Sequence, residues 1–114
     1  MTYTDKQRIQ KIIEICESLD KQIKDRNITR EQILQDQFQQ WAITTPLYNI
    51  GEHVSHISEE VKITYSDAPW KLISGLRNRL VHDYDGINWN IIVDVLFEDL
   101  MPFAVMLKKI VSEL

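Results

Sequence analysis

The sequence predicts an all-α protein, an up-and-down bundle of four to five helices. Only three glycines and three prolines occur in 114 residues, which leaves few of the interruptions that a set of short strands requires. Apolar residues recur at spacings of three and four over long stretches, the period of an amphipathic helix. With 44% hydrophobic and 26% charged residues, the chain has a globular composition and the length of a single domain, residues 1–114.

The first helix is expected from about Thr4 to Asp25. Thr4 and Gln7 have the spacing of a capping box, in which each side chain bonds the backbone of the other residue. Cys16 lies within the apolar stripe, so we expect a buried core thiol and no nucleophilic role. The stripe comprises Ile9, Ile12, Ile13, Cys16, Leu19 and Ile23.

A second helix is predicted after a short turn at residues 26–28. Thr29 and Gln32 repeat the capping-box spacing, and an apolar stripe follows them as far as Val61. Pro46 falls inside this pattern, and we expect one long helix kinked near Pro46, with two helices meeting there as the alternative. The stripe comprises Ile33, Leu34, Phe38, Trp41, Ala42, Leu47, Ile50, Val54, Ile57 and Val61.

The third helix is expected to begin near residue 68. Ser66 or Asp67 can cap it, and Pro69 would occupy its first turn. Its predicted buried stripe consists of Leu72, Ile73, Leu76 and Leu80.

The fourth helix is expected after the turn signal Asp85-Gly86. Asn88 is a good N-cap, and apolar residues continue from there to the end of the sequence. We expect a bend at Pro102, because proline cannot donate a helical hydrogen bond.

Charge and hydropathy limit the possible partners. The formal net charge of −4 argues against a broad basic surface for long nucleic acids, so nucleic-acid binding would be local or shared between subunits. Residues 1–11 are polar and charged, unlike a signal sequence, and no apolar run approaches 18 residues. We therefore expect a cytoplasmic protein that does not engage a membrane.

The segment from Gly75 to Tyr84 concentrates the side chains that could do chemistry. It contains Arg77, Asn78 and His82 near the end of the third helix. Residues five apart point about 140° away from each other on a straight helix, so Arg77 and His82 would diverge. They can act on one phosphate if the helix ends before His82 or if a second subunit completes the site.

This segment resembles the Arg-x4-His-x-Tyr motif of the HepT-like ribonucleases of the HEPN superfamily, with Arg77, His82 and Tyr84 at the motif positions. Asn49-Ile50-Gly51-Glu52 is similar to the NIGE segment of that family. Residues 69–76 are similar to the residues that directly precede the motif in that family. Asn88-Trp89 departs from the family pattern, in which an acidic residue is expected, but at a helix-cap position.

The resemblance implies a HEPN-like helical fold and a metal-independent endoribonuclease that uses no cofactor and acts as a homodimer. Arg77 and His82 would be the catalytic residues acting on the RNA phosphodiester, and Asn78 would support them. Glu52 could contact the motif segment of its own chain or of a partner.

The resemblance also implies a type VII-like toxin–antitoxin system. A minimal nucleotidyltransferase antitoxin would neutralise the toxin by transferring AMP to Tyr84. The added phosphate would bring bulk and negative charge to the place where RNA must bind.

Other interpretations remain open from the residues alone. Arg77, Asn78 and His82 could simply form the polar last turn of a helix. The chain could also be a non-catalytic module that binds a nucleotidyltransferase, or a plain dimerisation protein. Finally, a metal site is a weaker possibility on the face of the second helix that carries Asn49, His53, His56 and Glu60.

Overall fold

The protein is described by a computed structural model that covers residues 3–81 and 86–114. Within these ranges the regular structure is entirely helical, which confirms the predicted fold class. The helices are α1 (Asp5–Asp25), α2 (Arg30–Gln35), α3 (Gln37–Ser55), α4 (Glu59–Thr64), α5 (Trp70–Val81), α6 (Trp89–Asp94) and α7 (Leu100–Glu113), and a π-helical turn (Val95–Asp99) joins the last two.

The start and end of α1 follow the local signals in the sequence. The Thr4 amide donates to Gln7 Oε1 at 2.9 Å, and the Gln7 amide donates to Thr4 Oγ1 at 3.1 Å, so the predicted capping box is formed. The turn after α1 places Asn27 at φ 51°, a left-handed conformation that asparagine tolerates better than most residues. The same type of capping box at Thr29 begins α2.

The predicted long second helix is wrong in its continuity. The chain breaks at Asp36, whose extended backbone ends α2 and whose carboxylate accepts the Phe38 amide at 2.9 Å to begin α3. By contrast, α3 continues through Pro46 without interruption. A cap at Asp36 therefore outweighs the apolar rhythm that suggested continuity, whereas a packed helix absorbs the proline.

The prediction for α3 fails in its first turns only, because Leu47, Ile50 and Val54 of the predicted stripe are buried. Phe38 and Trp41 were predicted in the stripe but are 75% and 63% exposed, and Ala42 is exposed as well. The buried residues of α3 are Ile43, Leu47, Ile50, Gly51 and Val54. A new helix begins with its own rotation about its axis, so the stripe of α2 does not predict the stripe of α3.

The region between α3 and α5 contains a helix that the sequence pattern did not separate. Ser58 caps α4 by accepting the Val61 amide, and its own amide and hydroxyl donate to Asp5 at 3.0 and 2.7 Å. The third predicted helix begins at Trp70, and neither Ser66 nor Asp67 caps it. Leu72 is 40% exposed and does not belong to the buried stripe of α5.

The last helical stretch begins at the predicted cap Asn88, whose side chain accepts the Asn90 amide. A π-helical turn, in which the Leu100 amide bonds to Val95, precedes Pro102, which lies in the first turn of α7. Proline supplies no amide hydrogen and crowds the carbonyl four residues earlier, and a wider turn relieves this conflict.

The helices pack around one core. In this core α1 lies antiparallel to α3 and to α7, since Ser58 reaches the first residue of α1, and the start of α7 at Leu100 lines one cavity with the end of α1 at Ile23. On its other side α3 packs against α5. Cys16 is fully buried in the core, as predicted. None of the helices in residues 3–81 and 86–114 combines the length and apolar character needed to cross a bilayer.

Candidate functional site

The candidate site lies where α3 and α5 come close together at Gly51. A Cβ atom at this position would lie 2.9 Å from the backbone nitrogen of Arg77 and 3.2 Å from the carbonyl oxygen of Ile73. Both distances are shorter than ordinary van der Waals contact, and both involve backbone that cannot swing aside. Only glycine therefore allows α3 to approach this part of α5 so closely.

This close approach brings Arg77 against the last turns of α3. Arg77 Nη1 donates to Glu52 Oε2 and to Ser55 Oγ, each at 3.3 Å. The Ser55 hydroxyl donates its own hydrogen to the Glu52 carbonyl at 2.7 Å, which leaves its lone pairs for the guanidinium. The Arg77 and Glu52 side chains are 36% and 34% exposed, so their pair is open to ligands.

Glu52 bridges Arg77 and His56. Its other carboxylate oxygen, Oε1, lies 2.8 Å from His56 Nε2. The hydrogen bond from His56, together with the positive charge of Arg77, holds the pKa of the Glu52 carboxyl below its ordinary value. Glu52 is consequently an anion at neutral pH.

The hydrogen-bond geometry leaves most of the Arg77 guanidinium available. Both of its bonds start from Nη1, which carries two of the five N–H donors of an arginine. Within residues 3–81 and 86–114, Nε and Nη2 bond to no side chain or backbone atom. These three donors suit a phosphate, which arginine binds through two parallel hydrogen bonds.

The other predicted site residues fall into two groups. Asn78 is exposed on α5, one residue beyond Arg77. His82 and Tyr84 lie outside the described residues, which resume at Gly86. The convergence of Arg77 and His82 on one phosphate thus stays a prediction.

The sequence pointed to Glu52 through the family resemblance, but it did not point to Gly51 as a packing site or to Ser55. The spacing along the helix could have indicated both residues, because Gly51 and Ser55 lie within about one helical turn of Glu52. A Cβ at Gly75, by contrast, would meet nothing within 4 Å in the described part of the chain. The close approach occurs at Gly51 instead.

The alternative metal site on α3 is not formed by the residues described. His53 contacts Arg8 and His56 contacts Glu52, while Asn49 and Glu60 are exposed. Among residues 3–81 and 86–114, no group of three histidine, cysteine, aspartate or glutamate side chains could hold a metal ion.

Fold and site together define a helical protein that presents a half-exposed arginine, steadied by an anionic glutamate, beside a short polar motif. A sequence model of the family described as "Ribonuclease HepT-like" matches residues 6–110 of the chain. The chain belongs to the HepT-like ribonuclease family, and the family and enzyme class predicted from the sequence are confirmed.

Individual relatives support this membership. "Putative RNase TTE0752" of Caldanaerobacter subterraneus subsp. tengcongensis is 29% identical over 110 residues, which cover 96% of each chain. "Putative RNase MJ0127" of Methanocaldococcus jannaschii is 32% identical over 91 residues, or 76% of this chain and 75% of that protein. "Probable ribonuclease HepT" of Thermococcus cleftensis is 29% identical over 75 residues, or 66% of this chain and 68% of its own length. No solved structure matches the chain.

Proposed function

We propose that this protein is a metal-independent endoribonuclease toxin in which Arg77 and His82 act on an RNA phosphodiester. The observation that carries the proposal is the hydrogen bonding of the Arg77 guanidinium. Arg77 lies in the region that the HepT-like family model matches. Glu52 and Ser55 fix one edge of its guanidinium, and its remaining donors are left for a phosphate.

The proposed reaction uses the ribose 2′-hydroxyl as the nucleophile. His82 removes the hydroxyl proton or protonates the leaving oxygen, while Arg77 binds the phosphate and stabilises its developing negative charge. The bond between O2′ and phosphorus forms, and the bond from phosphorus to the leaving oxygen breaks. Asn78 orients the phosphate or His82.

Cleavage assays with purified protein test this scheme. We expect His82→Ala and Arg77→Ala to lose RNA cleavage, and EDTA to leave the wild-type activity intact. Arg79→Ala is the matched control, because it removes an exposed arginine from the same helix. DNA of the same sequence should stay uncut, since it lacks the nucleophile. Cleavage by His82→Ala, or loss of wild-type cleavage in EDTA, would refute the scheme.

Tyr84 is proposed to be the site at which a nucleotidyltransferase antitoxin turns the enzyme off. AMP transfer to the phenol would add negative charge and bulk to the motif segment and repel RNA. Incubation with the antitoxin and ATP should add AMP units to wild type and to Tyr65→Phe, but not to Tyr84→Phe, as read by intact-mass spectrometry. An unchanged mass shift on Tyr84→Phe would refute the assignment.

A homodimer is part of the proposal. The chain carries a net charge of −4, and Arg77 and His82 would diverge on one straight helix. Two subunits could pool their motif residues in one cleft and so supply cations that one chain lacks.

Expression of the chain alone distinguishes this enzyme from a non-catalytic module. Growth arrest that His82→Ala relieves supports the enzyme, and harmless wild-type expression contradicts it.

A further inference from the structure

A second arginine is held in place close to the candidate site. Arg8 on α1 lies with its Nη1 atom 3.2 Å from Nδ1 of His53 on α3. Its guanidinium also stacks over the Tyr3 ring at 5.4 Å from the centroid. Tyr3 and His53 meet edge to face, with ring centroids 5.9 Å apart. Two aromatic side chains thus fix the position of one guanidinium.

The protonation of His53 follows from this geometry. Because a guanidinium can only donate hydrogen bonds, Nδ1 of His53 must accept, and the ring hydrogen is on Nε2. Burial, followed by the positive charges of Arg8 and Lys11, lowers the pKa of His53. The neutral imidazole therefore orients Arg8 without adding charge.

Arg8 has no counter-charge among the described residues. No carboxylate of residues 3–81 or 86–114 forms a salt bridge with it. Both oxygens of Asp5, one helical turn earlier, accept hydrogen bonds from Ser58, so its carboxylate does not contact Arg8. Lys11, the next turn along α1, is exposed. This corner of the fold is an ordered positive patch on a protein whose net charge is negative.

Arg77 differs from Arg8 in this respect. Its charge is offset by Glu52, so it can orient a phosphate but adds little long-range attraction. His53 directly follows Glu52 in α3, so the two arginines flank neighbouring residues of the same helix from α1 and from α5. The two arginines therefore hold side chains at consecutive positions of α3, which is a separation that a short RNA strand can span.

We propose that Arg8, with Lys11 and the Nε2–H group of His53, forms a second phosphate subsite that binds the RNA backbone next to the scissile phosphate. The proposal rests on the proposed ribonuclease function. The subsite binds phosphates and reads no base edges, so it raises affinity for any RNA strand without selecting a sequence.

Salt-dependent binding tests the subsite separately from cleavage. The probe is a single-stranded oligonucleotide with 2′-O-methyl riboses, which lacks the nucleophile and stays intact. We expect Arg8→Ala to weaken binding roughly tenfold at low salt, as for the loss of a charge-assisted phosphate contact. The slope of log K against log salt should become shallower by about 0.7, the value for one phosphate contact on a single strand.

Arg26→Ala is the matched control, because Arg26 lies at the other end of α1 and its side chain bonds Gln22 and no other residue in the described part of the chain. It should leave both the affinity and the slope unchanged. If Arg8→Ala does not fold, Lys11→Ala replaces it, and the slope should again become shallower. Equal slopes for the Arg8 or Lys11 variant and the Arg26 variant would overturn the subsite.

Cleavage assays distinguish failure of the subsite from failure of the proposed function. If the wild-type protein cleaves RNA and Arg8→Ala binds the probe as tightly as wild type, the ribonuclease function stands and only the subsite is refuted. If the wild-type protein neither cleaves nor binds RNA, both the ribonuclease function and the subsite are refuted. In cleavage, Arg8→Ala should raise KM and leave kcat close to that of wild type, because the reacting atoms are untouched.

Discussion

The Arg77–Glu52 pair shows how little a surface ion pair has to contribute to stability in order to matter for function. Half-exposed pairs of this kind contribute only about 0–1 kcal/mol. Their value here is geometric, because two acceptors on α3 fix one edge of the guanidinium and leave the other edge to a ligand. Glu52 is thus better understood as a positioning residue than as a source of stability.

The first prediction concerns the pH dependence that Glu52 adds to folding. The pKa of Glu52 is lowered in the folded protein. The stabilisation from its carboxylate is therefore complete above the ordinary pKa of 4.5 and is lost as the pH falls through the lower pKa of the folded state. Below pH 4.5, the free energy of unfolding measured in urea should fall more steeply with decreasing pH for wild type than for Glu52→Gln. Glu60→Gln, which removes an exposed carboxylate, should keep the wild-type slope. Parallel curves for wild type and Glu52→Gln would contradict the pairing.

The second prediction concerns Cys16, the single cysteine of the chain. Burial, and to a lesser extent the charge of Glu17, raises its pKa to about 12, and the side chain has no exposed surface. A thiol reagent at mildly alkaline pH should therefore label the native protein very slowly, and label one thiol rapidly after denaturation. Rapid labelling of the native protein would show that α1 does not pack as described.

At the scale of the elements, the contact between α3 and α5 depends on one missing side chain. Gly51 lets the backbone of α5 come so close that Arg77 reaches two acceptors on α3. Gly75 lies in α5 itself and has no neighbour that a methyl group would meet in the described residues. The two glycines are a natural pair for comparison, because both are helical and only one is crowded.

The third prediction is that alanine has opposite effects at these two positions. Gly51→Ala should destabilise the protein by about 1–3 kcal/mol, since the helices must separate to admit the methyl group. Gly75→Ala should stabilise it by up to about 1 kcal/mol, because alanine is the better helix former. Urea unfolding measures both values. Stabilisation by Gly51→Ala would show that the helices are farther apart than described.

At the scale of the molecule, apolar surface remains outside the core. Phe38 and Trp41 project from the first turns of α3, although the apolar pattern suggested that they would be buried. In the last helical stretch, the exposed Asp94 and Glu98 pair with Arg30 of α2.

The fourth prediction tests the proposed homodimer. Light scattering should give a mass about twice the 13.5 kDa of one chain at working concentrations, with dissociation on dilution. Mixing Arg77→Ala with His82→Ala should restore part of the cleavage activity if two chains share one site. A fully active monomer would contradict the proposal.

The sequence by itself determined the helical class, both capping boxes, the turn at Asn27, the cap at Asn88 and the burial of Cys16. These features depend on residues within one or two turns of each other or on a regular apolar period, so local physical chemistry is sufficient to predict them. The resemblance of the segment from Arg77 to Tyr84 identified the family for the same reason, because the motif is contiguous.

Tertiary structure alone decided that Ser55 joins Glu52 at Arg77 and where the long apolar stretch divides. The cap at Asp36 competes with the continuity of the helix, and the new helix that it begins leaves Phe38 and Trp41 exposed. Ser55 reaches Arg77 because Gly51 lets two helices touch, and Arg8 reaches His53 because α1 packs beside α3. Contacts between side chains 22 and 45 positions apart depend on how helices rotate and approach, which the period of one helix does not specify.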